Sequence, residues 1–189
     1  MTGLGPTIAG SLAMAAISTA GDFVWATWIA EHRAVYGLIH GTVLFLSLGL
    51  VLATVGATHA SPLPRAAQGA FGGAAIGGLG AGLYYVLSPF IGFSAMLLVW
   101  FAVWIALAAL YGHLNAARMH HGNFHDVRSS TRAVASRGVI AATASALAFY
   151  SISGIWRPFN PQGLDFAVHF AAWTLAFLPG FAALMLARR

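Results

Sequence analysis

The chain has 189 residues, of which 59% are hydrophobic and 7% charged; soluble domains carry roughly a quarter charged residues, so a soluble globular fold is excluded. All nine basic residues are arginines and the formal net charge is +5, but they gather in the seams between apolar stretches and so report topology, not nucleic-acid binding. The absence of cysteine removes disulfides, thiolate metal sites and thiol catalysis.

Six apolar stretches, each about twenty residues long and therefore able to cross a bilayer, follow one another along the chain. The first runs from about Ile8 to Ala30 and carries Trp25 and Trp28 at its end, where an interfacial belt would place them. No basic n-region precedes it, so it is predicted to be a retained helix. After the short turn Glu31-His32-Arg33, the second stretch covers about Val35 to Gly56 and holds His40 near its start.

Thr58 to Pro64 is predicted to be a loop, and the third span runs from about Gln68 to Leu87, where Ser88-Pro89 should break it. Gly69, Gly73 and Gly77 recur every fourth residue, and Gly78 with Gly82 repeats the spacing. Faces of that kind let helix backbones approach closely, within a chain or between protomers. The fourth span, about Ile91 to Leu114, leads into the longest polar segment, Asn115 to Arg137. The fifth covers about Gly138 to Trp156, and the sixth about Leu164 to Ala187, with Pro179-Gly180 as a potential kink.

These elements define an all-α, polytopic membrane protein: one domain over residues 1–189, folded as a bundle of six transmembrane helices. One side collects Arg65, Arg118, Arg128, Arg132, Arg137, Arg188 and Arg189, against Arg33 and Arg157 on the other. The positive-inside rule then puts both termini in the cytoplasm, and the bundle is expected in the cell's inner membrane.

Asp22 is the acid that does not fit the seams. An unpaired carboxylate inside a span costs about 3 kcal/mol or more, so it needs a partner or a purpose. It should lie about 12 Å below the outer end of its helix, and His40 and His169 enter from that same side. Asp22, His40 and His169 are therefore the candidate ligand-binding cluster, with Trp25, Tyr150, Trp156 and Trp173 as aromatic walls. The alternative is that these groups only fix helix packing through polar bonds worth about 0.6 kcal/mol each.

His40 and His169 form the one histidine pair placed for haem, and one pair would not carry electrons across a bilayer. His113, His120, His121 and His125 match no strong zinc spacing, and a basic loop against anionic headgroups accounts for them better. No metal or cofactor is expected. A nucleophile elbow, a Walker loop, HExxH and paired carboxylates are all missing.

The order Tyr150, Gly154, Pro158, Asp165-Phe166, Trp173, Pro179 and Gly180 resembles the join between the last two helices of the insulin-induced gene (Insig) family of sterol-sensing membrane proteins, and Gly37 to Ala53 is similar to an apolar helix of that family. The resemblance, to a bacterial-type homologue, implies a lipid-accessible central cavity, a sterol or diacylglycerol-like ligand, and homo-oligomers. No binding residue is carried over from it. The leading expectation is thus a non-enzymatic sensor or carrier that holds a hydrophobic ligand between helices. The alternative is an intramembrane enzyme or proton-coupled transporter for a lipid, quinone or isoprenoid, in which Asp22 and His40 or His169 handle protons.

Overall fold

Each apolar stretch forms one long helix: α1 Leu4–Trp28, α2 Arg33–Val55, α3 Pro62–Ile91, α4 Ser94–Ala116, α5 Phe124–Ser153 and α6 Gly163–Met185. The computed structural model describes residues 3–28, 33–55, 62–116, 124–153 and 163–185, with the backbone alone at 25–28, 33, 55, 62, 116, 124–132 and 152–153. All six helices are long and apolar enough to cross a membrane, so the chain is a multi-pass integral membrane protein.

Three boundaries differ from the sequence expectation. Pro62 and Pro64 open α3 instead of preceding it, because the first turn of a helix has no intrahelical partner for its N–H groups and proline lacks only that. Ser88-Pro89 does not break α3. The helix closes one turn later, where Gly92 takes φ +59° and its N–H donates to the Ser88 carbonyl across 2.9 Å, a glycine cap of the left-handed kind. Finally α5 starts at Phe124, not Gly138, so part of the polar segment is a helical extension of the fifth span.

Helices adjacent in sequence are adjacent in space, and α6 returns to α1, which closes a ring. α4 also reaches across to α2 and α6, and its Trp100, Val103, Trp104 and Leu107 are buried at the centre. Trp104 is wholly buried, its ring seated against Gly180 and packed edge-on to Phe181 with centroids 6.1 Å apart. Ser145 ties three helices together: its hydroxyl accepts from Trp100 Nε1 across 2.8 Å and donates to the Ala176 carbonyl across 2.6 Å.

The closest backbone approach joins α2 to α3. A methyl at Gly73 would collide with the Phe45 carbonyl, one at Gly77 with the Gly41 carbonyl, and one at Gly49 with the Gly69 carbonyl. Gly69 meets Gly49 and Ala53, Gly78 faces Thr42, and Gly82 faces Leu38. The glycine face of α3 thus packs on α2 of the same chain, and the opposite face, with Phe71, Leu79 and Phe90, is exposed and suited to hydrocarbon. The seam between α1 and α2 is the sparsest in the ring.

At one end of the bundle Arg65 of α3 is buried. Its Nε donates to the Ala53 carbonyl across 2.7 Å, Nη1 to the Leu114 carbonyl, and Nη2 to Asn115 Oδ1 across 3.1 Å. Carbonyls in the last turns of α2 and α4 lack helical partners and carry the negative end of the helix dipole, so a guanidinium satisfies both needs.

Three substitutions separate these contributions. Gly73→Val should cost about 3 kcal/mol or prevent folding, whereas Gly5→Ala, with open space around it, should leave the thermal unfolding midpoint in detergent unchanged. Arg65→Met should lose about 2 kcal/mol through its stranded carbonyl partners, read as a lower midpoint by the same measurement.

Candidate functional site

Asp22 sits six residues before the end of α1, about 9 Å along the axis, and His169 sits six residues into α6, so the two meet at equal depth. His169 and Trp173 are one turn apart and project from the same face of α6. Both reach one atom. His169 Nδ1 lies 2.9 Å from Asp22 Oδ2, and Trp173 Nε1 donates to that same oxygen across 2.8 Å.

The indole N–H can only donate, so Oδ2 acts as acceptor toward Trp173. A bare imidazole nitrogen facing an ionised oxygen at 2.9 Å would repel it, so one proton lies between His169 and Asp22, on one partner or the other. The His169 side chain is 8% exposed and that of Asp22 22%. The carboxylate therefore has its charge-assisted partners and still reaches open space.

That space is a cavity of about 380 Å³. Asp22, Tyr36, His40 and Trp173 form its polar corner, Tyr84 and Tyr85 of α3 also face it, and Leu44, Phe45, Met96, Val99, Trp100 and Phe149 supply apolar wall. Gly37, Gly41, Gly77 and Gly80 line it as well, and two of them, Gly41 and Gly77, also bring α2 and α3 together. His169 braces Asp22 from behind and is not part of the wall.

The α2 side of the site is built around Gly21. The Tyr36 hydroxyl donates to the Gly21 carbonyl, and the His40 ring occupies the place a side chain at residue 21 would take. Tyr36 and His40, one turn apart on α2, stack with centroids 5.6 Å apart and planes at 13°. Asp22 acts on both electrostatically. This arrangement bridges the sparse α1/α2 seam.

Sequence expectation and geometry compare residue by residue. Asp22, His169 and Trp173 converge in direct bonds, and His40 shares the cavity with Asp22. Tyr150 is not on the wall: it is 53% exposed and tilts against Phe93 with centroids 6.3 Å apart. One residue on a helix is a turn of about 100°, and that step gives the wall position to Phe149, stacked on Trp100 at 4.8 Å. The side chain of Trp25 and the whole of Trp156 lie outside the described residues. Tyr36, Tyr84, Tyr85 and Trp100 were not anticipated as site residues; Tyr36 was findable from its four-residue spacing to His40, and the others depend on tertiary packing.

Among the described residues no three His, Asp or Glu side chains come together as metal ligands. No protein-family model, curated protein or solved structure matches this chain. What stands of the Insig resemblance is accordingly the architecture, a bundle of six membrane-spanning helices. Fold and site together define a polytopic membrane protein with a carboxylate–imidazole pair at the edge of an apolar cavity.

A double-mutant cycle checks the pairing. His169→Phe strands the carboxylate with one donor and should destabilise the protein, whereas Asp22→Leu with His169→Phe removes both polar partners and should recover about 1 kcal/mol or more of that loss. Thermal unfolding of the two single variants and the double variant gives the coupling directly, and a purely additive result would disprove it.

Proposed function

We propose that this protein is a proton-coupled membrane carrier for a lipid-like amphiphile, with Asp22 as the titrating group and His169 and His40 as its proton partners. The observation that carries the reading is the 2.9 Å contact between Asp22 Oδ2 and His169 Nδ1 beside a largely apolar cavity that Asp22 also lines. An intramembrane acid is ordinarily functional because it is otherwise so costly, and a cavity with few polar groups suits an apolar body with a small head.

The sparse α1/α2 seam supports transport over simple holding. Asp22 lies on one side of that seam and His40 and Tyr36 on the other, so a change in Asp22 protonation acts where the ring has least to hold it closed. The buried Arg65 lies at the opposite end of the bundle, the end that the positive-inside rule expects to face the cytoplasm. The cavity then occupies the outer half of the membrane.

A second reading is supported by one further observation. Asp22 and His40 face the cavity from different helices, so both can touch one substrate as acid and base, and an enzyme acting on a lipid, quinone or isoprenoid would use them so.

Organic extraction of the gently purified protein, followed by mass spectrometry, identifies the amphiphile. A transmembrane pH gradient should drive its movement in proteoliposomes, and Asp22→Asn should reduce that flux to the background of protein-free vesicles while the protein stays folded. Chemical conversion of the amphiphile on incubation, with no gradient-driven movement, would instead establish the enzyme.

A further inference from the structure

We infer that the head group recognised in this cavity is cationic, an amine or quaternary ammonium on an apolar body. The inference rests on the carrier reading above and adds the sign of the ligand's charge. Among the described residues Asp22 is the one carboxylate on the wall and no arginine lines it; Arg65 of α3 is committed to carbonyls at the far end of the bundle. A phosphate or carboxylate head group would meet an acid and, among the described residues, no arginine to offset it, in a medium that barely screens charge. A neutral head would leave the carboxylate's field unused.

The groups around Asp22 favour a cation further. Trp173 lies against the carboxylate through its own N–H, the stacked Tyr36 and His40 rings flank the other side, and Tyr84, Trp100 and Phe149 continue the wall. Aromatic faces carry the negative part of a quadrupole and attract ammonium groups, more strongly once water is removed. A carboxylate set among aromatic rings is a recognition element for a weakly hydrated cation, and the apolar remainder of the cavity takes its hydrocarbon.

Competition between this cation and a proton supplies the coupling. The titratable groups facing Asp22 among the described residues are Tyr36 and His40 from α2, His169 from α6 and, across the cavity, Tyr84 and Tyr85 from α3; α4 and α5 add only apolar and indole wall. A cation beside Asp22 favours the state in which the pair has lost its extra proton. A proton arriving on the pair removes the counter-charge and releases the cation. Occupancy by one excludes the other, and no covalent step is needed.

The test titrates the full-length protein in maltoside micelles with decyltrimethylammonium, a permanent cation, and with decanol, its neutral counterpart, following tryptophan fluorescence and proton release into weakly buffered solution. The cation should bind about tenfold or more tightly than the alcohol, release protons as it binds, and weaken as pH falls. Asp22→Asn should cut cation affinity about tenfold or more and leave decanol unchanged, which also shows that the variant is folded. If decanol binds as well as the cation and Asp22→Asn affects both alike, the head group is neutral and this inference fails while the cavity and carrier reading survive. If neither probe binds, the cavity reading fails with it.

Discussion

Hydrocarbon gives helices no hydrophobic reason to associate, since lipid tails are as apolar as leucine. This bundle therefore depends on close backbone contact, and the α2/α3 pair has it: a side chain at Gly49, Gly69, Gly73 or Gly77 would collide with a carbonyl of the facing helix. With those two helices fixed against each other, α4 can fill the centre with Trp100 and Trp104, and α5 and α6 can build their aromatic layer on it. The cavity is what remains where glycine meets a wall of larger residues. Its shape is a by-product of the contact that makes the fold.

Arg65, Ser145 and Asp22 follow a different logic, in which each is satisfied at a helix junction. Arg65 closes one end by collecting carbonyls from α2 and α4, and Ser145 passes a hydrogen bond from Trp100 to the α6 backbone. Asp22 takes both of its bonds from α6. The first two are finished assemblies. Asp22 differs because it combines satisfied hydrogen bonds with contact to open volume.

Much of this was legible in the sequence. Six spans, the glycine spacing and the misplaced acid are one-dimensional signals, because span length, helical period and charge cost are all local quantities. Asp22, His40 and His169 were placed on one side by counting residues from helix ends, which works when turns are short. What failed was rotation about the helix axis: Tyr150 against Phe149 differ by one position and only packing chooses between them. Helix ends failed similarly, since the proline at 89 reads as a stop, while the backbone of Gly92 provides the actual one. Arg65 was counted among loop charges, and only the fold shows that it is buried.

The bond between Asp22 and His169 spans 147 positions of chain and joins the first of these helices to the last. During synthesis α1 enters the membrane long before α6 exists, so the carboxylate must wait without either of its α6 partners while the four helices between are made. Over that interval it bears a cost of about 3 kcal/mol, which favours its protonated form or a place beside the insertion machinery. Arrival of α6 relieves that cost at a single atom. The pair thus registers that the ring of helices is complete, and a chain arrested before α6 would keep an exposed intramembrane acid of the kind that membrane quality control can recognise.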